Sequence, residues 1–283
     1  MLVTSKEMLQ KAYEQHYAVA AINTQGGTYD IIRAICMAAQ ETQSPVILAH
    51  YLSTGAYSGH DWFYETAKWM AGKVDVPVAI HLDHGDTVEH CKECADIGFT
   101  SIMYDGSSLS IEENARNTSE VIKYCHEKNI PVEAEVGEIG RLDANGINVN
   151  QNNQADPEQV REYLKLCSPD SLAVGIGNAH GFYKGEPDIR VDILKQVRTF
   201  TDIPFVLHGC TGMSEEMIRE SIGYGVAKIN FGTQIRYNYM NYLREGVSMD
   251  FQGHAWKLSQ YAEGKLREDI KSIICLAGSD GKA

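Results

Sequence analysis

Eight short apolar runs recur along the chain: YAVAAIN, PVILAHY, PVAIHLD, TSIMYD, PVEAEV, SLAVGI, PFVLHG and VAKIN. Each is rich in β-branched and small apolar side chains, the make-up of a strand covered on both faces in a parallel sheet. Four open with proline, at Pro45, Pro77, Pro131 and Pro204. Proline at a strand's first residue sacrifices no ladder hydrogen bond, so it punctuates the passage from helix to strand. Between the runs, segments such as TYDIIRAICMAAQETQ, IEENARNTSEVIKYCHEK, DPEQVREYLKLC and SEEMIRESIGYG carry apolar residues at helical spacing. Strand then helix, eight times over, predicts an α/β chain folded as a (β/α)8 TIM barrel, one domain over residues 1–283. An open doubly wound sheet is the alternative reading.

The polar positions favour the barrel. Asn23, Ser53, Asp83 with His84, Asp105, Glu135, His180, His208 and Asn230 all stand at or just beyond the carboxyl ends of successive runs. In a barrel that rim is the active-site face. Any one of them could simply cap the next helix, but eight such positions together point to a site. Three of these residues are histidines, which follow PVAIHLD, SLAVGIGNA and PFVL. Parallel strands of one sheet end on the same side, so the imidazoles can converge as a zinc site with an open coordination position, and Asp83 beside the first supplies an acid/base. His50 and His81 are candidates to support the trio, while His16, His60, His90, His126 and His254 read as solvated. One stretch breaks the rhythm: residues 137–157, GEIGRLDANGINVNQNNQADP, have few large apolar side chains. At the rim of a barrel this reads as a lid loop.

Composition narrows the choices further. The length of 283 residues suits one barrel, which typically takes about 250. With 38 acidic against 25 basic residues the net charge is −13, which argues against broad contact with nucleic acid or anionic lipid. An anionic substrate therefore needs a locally positive site. Seven scattered cysteines without a secretory signal indicate a reduced cytoplasm. Cys91 and Cys94 lie in a helical segment, where i and i+3 share a face, so packing is preferred to redox chemistry. No apolar stretch approaches the roughly 20 residues of a membrane helix. Thr4-Ser5-Lys6-Glu7 looks like a capping box opening a first helix. The segment HAWKLSQYAEGKLREDIKSIICLAG predicts a last one before a polar tail.

Several phrases resemble those of the class II, zinc-dependent ketose-bisphosphate aldolases of the fructose/tagatose type: HLDH (81–84), VEAEVG (132–137), AHGFYK (179–184), LHG (207–209), GVAKIN ending at Asn230 with Thr233 beyond, and the closing GSDGKA. The resemblance runs nearly end to end. It implies that His84, His180 and His208 hold catalytic zinc, and that Asp83 takes the C4 hydroxyl proton in cleavage and returns it in condensation. The zinc then acts as a Lewis acid toward the charge left on the ketone half. Asp105 and Glu135 match family carboxylates near the metal, which either hold a second divalent or a monovalent cation or serve structurally. Asn23, Ser53, Gly181, Lys184, Gly209, Thr211, Asn230 and Thr233 match substrate or phosphate positions. Loops after the last two barrel strands are the usual phosphate site.

Two departures bear on the substrate. Family lids commonly carry a Gly-Gly-Glu-Asp-like cluster, where this chain reads Gly140-Arg141-Leu142-Asp143, leaving Asp143 as the candidate lid acid. An arginine in a Pro-Arg-x-x-Leu phrase usually meets the distal phosphate, where this chain has Gly253-His254-Ala255-Trp256-Lys257-Leu258. Lys257, Arg267 or a residue of a neighbouring subunit could fill that role. The expectation is a cytoplasmic homodimer or homotetramer acting on a small phosphorylated ketose, with no nucleic-acid or membrane partner. It would cleave a ketose 1-phosphate with an anionic C6 group, of the tagatose or fructose 1,6-bisphosphate type, to dihydroxyacetone phosphate and a three-carbon aldehyde. A 6-deoxy-6-sulfofructose 1-phosphate, yielding sulfolactaldehyde, is the alternative substrate, with a deoxy-ketogluconate phosphate third. A non-catalytic barrel supporting a partner enzyme is the alternative function.

Overall fold

The computed structural model describes residues 1–142, 154–185 and 187–283. Its strands are β1 (Val19–Asn23), β2 (Val46–Tyr51), β3 (Val78–Gly85), β4 (Ser101–Tyr104), β5 (Val132–Val136), β6 (Gly140–Arg141), β7 (Ser171–Val174), β8 (Ala179–His180), β9 (Phe205–Leu207) and β10 (Val226–Phe231). Eight of them coincide with the predicted runs, β3 and β10 extending past theirs to Gly85 and Phe231, and close into a parallel barrel, β1-β2-β3-β4-β5-β7-β9-β10, with β10 pairing back onto β1. The prolines stand one residue before their strands. The carbonyls of Pro77, Pro131 and Pro204 still accept from Val46, Ile102 and Leu172 of the neighbouring strands at 3.0–3.1 Å, so the missing N–H leaves each strand junction paired.

Outward-facing residues such as Ile22, Leu48, Ile80, Ile102 and Leu172 bury against Ile31, Ile35, Phe63, Val121 and Leu266 of the helical shell. Inside the barrel the order is different. The helix Ser5–Glu14 plugs the amino-terminal end, placing Met8, Leu9 and Ala12 against Val19, Ala21, Ile47 and Ala79. Above this apolar plug lies a layer of buried polar side chains, His81, Ser101, Glu133 and Lys228, and above that layer is the carboxyl-terminal rim. The expected capping box is not formed: Thr4 takes the N-cap position, but its side chain makes no capping bond. Ser5 turns inward instead and hydrogen-bonds Ser101 at 2.8 Å, a buried partner that outcompetes a solvent-exposed cap. Cys91 and Cys94 are buried on the helix Val88–Ile97, and burial pushes the Cys94 thiol up to about 12. Both are packing residues.

Two further expectations need correction. The run before His180 is not one strand: β7 ends at Val174, and His180 sits on β8, outside the barrel ladder. The segment 137–157 is not wholly loop, because Gly140–Arg141 pair with Ala179–His180 in a two-stranded ladder and the helix Pro157–Leu166 begins at its end. Residues 143–153, including Asp143, lie outside the described residues.

The last two barrel strands are anchored at their base by Arg198. Its guanidinium donates to the carbonyls of Tyr224 (3.1 Å), Thr201 (2.8 Å), Ile203 (2.9 Å) and Gly225 (3.4 Å), and it stacks on Phe205 at 3.9 Å and Tyr13 at 4.6 Å. The fixed fork matches these diverging acceptors, which a lysine cannot span. Arg198→Ala is expected to lower stability by about 3 kcal/mol, since carbonyls left unpaired in the interior cost about 1–3 kcal/mol each. Urea unfolding should show a lower midpoint at unchanged slope, and a midpoint equal to the parent's would remove Arg198 as an anchor.

Candidate active site

The three rim histidines meet. The ring centroids of His84 and His208 are 4.6 Å apart, those of His84 and His180 5.1 Å, and those of His180 and His208 6.0 Å. One ligating atom from each lies within 4.8 Å of the others, close enough for a single ion. An irregularity in β3 makes this geometry accessible. Its register with β4 shifts between Leu82 and Gly85, and His84 takes φ +55°, a left-handed conformation uncommon outside glycine. Consecutive residues then face the mouth together, Asp83 and His84, where a regular strand would send them to opposite faces. His180 is brought in by β8. Asn178 secures that turn, accepting from Ile176 N at 2.9 Å and donating to His208 O at 2.9 Å.

Hydrogen bonds decide which nitrogen of His84 and of His208 is available. His84 Nδ1 bonds Asp105 at 2.8 Å, so Nε2 remains, buried without a partner among the described residues. His180 Nε2 is likewise buried without a partner among the described residues. His208 is held the other way round: Nε2 bonds Glu133 Oε1 at 2.9 Å, which leaves Nδ1 toward the mouth, 3.2 Å from Asn230 Nδ2. Glu133 in turn pairs through Oε2 with Lys228 Nζ at 2.7 Å. Because an ammonium only donates, Lys228 also forces His81 to accept at Nε2 (3.2 Å) and therefore to donate from Nδ1 to Ser101 (2.7 Å).

The electrostatics suit a cation. Burial pushes His180 down to about 4 and His208 well below the usual imidazole range, so both are neutral, the ligating form. Burial also works against charge on His84, but the Asp105 hydrogen bond and the charges of Asp83, Glu135 and Asp105 outweigh it and raise His84 to about 9. Glu135 is pushed up to about 8 by burial and by Asp105 beside it. It accepts from Ile139 N at 2.9 Å while its other oxygen, 3.7 Å from His84 Nδ1, is buried without a partner. His84, Asp105 and Glu135 form a second group with metal-binding geometry. For Asp83, burial is outweighed by the neighbouring imidazoles and Lys228, which hold it below the usual carboxylate range. Asn230 donates to it at 3.2 Å, and the amide's own oxygen is buried without a partner.

The phosphate candidates gather on the β9–β10 side. Gly209 has φ +65°, and a Cβ there would meet Ala179 O at 2.5 Å, so only glycine fits. Thr211 Oγ1 accepts from Gln234 N at 3.2 Å, at the start of the helix Thr233–Val247, whose first turn holds no acidic residue. Gly181 packs against Leu142. Lys184 is exposed and forms no ion pair among the described residues. Asn23 spends its carbonyl on Gln25, at 2.9 and 2.7 Å. Ser53 is exposed on the short helix Leu52–Ser58 after β2. Arg267, considered for a distal role, is committed to Glu263 and Glu41 at 2.6 and 2.8 Å. His60, expected to be solvated, instead bonds buried His50 at 3.0 Å, which stacks on Phe63.

Glu133, Lys228, Asn178 and Arg141 were not singled out from the sequence. For two of them the signal was present: along β5 and β10, Glu133 shares a face with Glu135 and Lys228 with Asn230, by the two-residue strand period.

Residues 3–282 match the sequence model of the family described as fructose-bisphosphate aldolase class-II. The fructose-bisphosphate aldolase of a Staphylococcus epidermidis strain is 37% identical over 292 residues, covering 100% of this chain and 99% of that one. That of Geobacillus stearothermophilus is 39% identical over 254 residues, covering 88% and 87%. Among solved structures, the YdjI aldolase of Escherichia coli K12 superposes with a TM-score of 0.88 at 33% identity, covering 100% of both chains. The barrel, the rim site and these likenesses agree: the chain belongs to the class II fructose-bisphosphate aldolase family and is a carbon–carbon lyase.

Proposed function

We propose that this enzyme reversibly cleaves a ketose 1-phosphate bearing an anionic group at C6 to dihydroxyacetone phosphate and a three-carbon aldehyde, using zinc held by His84, His180 and His208. The observation that carries this reading is a pair of buried imidazole nitrogens, His84 Nε2 and His180 Nε2, that have no partner among the described residues and converge with His208 beside the Asp83 carboxylate. A buried nitrogen with no partner is costly unless an ion or ligand completes it, and three imidazoles with one open position are the usual zinc donor set of a hydrolytic or lyase site. Asp105 and Glu135 steady His84 or hold a second cation.

When bound, the zinc supplies Lewis-acid stabilisation of the negative charge that cleavage leaves on the ketone half. Asp83 accepts the C4 hydroxyl proton as the C3–C4 bond breaks and returns it in condensation. The imidazoles and Lys228 hold it ionised for that task, and Asn230 fixes its orientation. Gly181, Lys184, Gly209, Thr211 and Thr233 cradle the C1 phosphate with backbone amides, a helix amino terminus and the Lys184 ammonium. Asn23 and Ser53 line the approach. The 6-deoxy-6-sulfofructose 1-phosphate reading is favoured over the bisphosphate by one observation: His254–Leu258 opens the helix Ala255–Ala277 without an arginine, and Arg267 is already tied to two carboxylates. Exposed Tyr57, Trp62, Trp69 and Trp256 support a homodimer or homotetramer, and free cysteines, most of them buried, support a cytoplasmic setting.

Three outcomes are expected. Chelation should abolish cleavage and added zinc restore it; full activity without metal, or borohydride trapping of substrate on a lysine, would sink the metal-dependent reading, and absence of metal from the purified protein would favour a scaffold role. Glu133→Gln and Lys228→Met should each weaken zinc affinity about 10- to 100-fold, the usual effect of removing a group that orients a ligating histidine. Competition with a chromophoric chelator measures this, and parental affinity in both variants would detach the buried pair from the metal. Asp83→Asn should keep zinc and lower kcat about 10²-fold or more; a parental kcat would exclude Asp83 as the acid/base.

A further inference from the structure

Arg141 is placed where the far end of the substrate must lie. It stands on β6, in register with His180 on β8. Its Nη2 donates to Tyr51 Oη at 2.6 Å, and its guanidinium lies 5.9 Å from the centre of the Tyr51 ring. Tyr51 ends β2 as the register partner of Asp83, and its ring packs edge-on to His84 at 6.3 Å. The side chain thus reaches across the mouth from the end of β5 to the β2–β3 edge. Arg141 is exposed and has no carboxylate partner among the described residues, unlike Arg116, Arg161, Arg190, Arg219 and Arg267, each of which pairs with an acid. An unneutralised guanidinium over a rim otherwise crowded with carboxylates is a cation kept for a ligand.

The direction of the substrate follows from the proposed aldolase reading, on which this inference rests. With C1 phosphate on the β9–β10 side and the C4 hydroxyl at Asp83 on β3, the chain of the ketose crosses the barrel mouth, and C5 and C6 continue over the β2–β3 edge. That edge is where Tyr51 holds Arg141. We propose that Arg141, braced by Tyr51, binds the terminal anion of the aldehyde half and sets the enzyme's preference for an acidic aldehyde. One guanidinium neutralises one charge and offers a planar fork, so the group it fits is a singly charged oxyanion, a carboxylate or sulfonate, ahead of a phosphate dianion.

The test is condensation of dihydroxyacetone phosphate with three-carbon aldehydes ending in hydroxyl, carboxylate, sulfonate or phosphate, using the zinc-loaded parent, Arg141→Gln and Arg141→Lys. The parent should favour carboxylate or sulfonate. Arg141→Gln should lower kcat/KM for that aldehyde about 10²-fold, mainly through KM, while changing the hydroxyl aldehyde less than about threefold. Arg141→Lys should recover part of the loss. Zinc content and thermal midpoint equal to the parent's exclude misfolding. An equal loss on every aldehyde, or no loss on any, overturns the assignment of Arg141, and a parental preference for the phosphate overturns the singly charged ligand. Inactivity of the zinc-loaded parent with all four aldehydes overturns the aldolase reading itself.

Discussion

A carboxylate buried between an ammonium and an imidazole, Lys228–Glu133–His208, governs the rim above it. The interior of a barrel is a poor place for charge, and an ion pair there persists only when each partner's hydrogen-bonding capacity is taken up. Here it is taken up by the site: Lys228 occupies one carboxylate oxygen and His81, His208 occupies the other, and Ser101 and Ser5 extend the chain to the apolar plug. Each bond fixes the donor or acceptor role of the next. The tautomer of His208, and hence which nitrogen reaches the mouth, is set by a lysine that touches neither the mouth nor solvent.

Irregular backbone concentrates around the same place. The shift in β3, the positive φ of His84, the crowded glycine at 209 and the two-residue ladder that carries His180 all depart from ideal strand geometry, while the barrel strands beneath run in register apart from a shift between β10 and β9 at Val226–Lys228. A regular (β/α)8 rim presents one inward side chain per strand end. Bringing three imidazoles within one ion's reach, with Asp83 beside them, requires breaking that rule locally, and the rigid barrel below absorbs the strain.

Charge is distributed for the same end. The chain is acidic overall, and carboxylates crowd one side of the rim, where they call for a cation. The opposite side provides a helix amino terminus free of acids, small residues and Lys184. The mouth is therefore graded from cation-seeking on one side to anion-seeking on the other, which orients a substrate that carries oxygen donors in the middle and negative charge at its end.

The sequence by itself determined the architecture and the enzyme class. Apolar runs of strand length separated by helical periodicity allow few arrangements, and polar residues placed at run ends have only one common face in a parallel barrel, so the gathering of His84, His208, Asp83 and Asn230 was legible in the pattern, whereas His180 reaches the same place from β8, outside the barrel ladder. Tertiary structure alone decided what depends on side-chain direction and on contacts between distant residues. The tautomers of His84 and His208 follow from partners 21 and 75 residues away in the chain. The capping box gave way to a buried contact 96 residues distant. Arg141 came to rest on a tyrosine 90 residues earlier. Local pattern encodes burial and period, which a single strand or helix expresses on its own. Hydrogen-bond pairing across the barrel is a property of closure, and no window of sequence contains it.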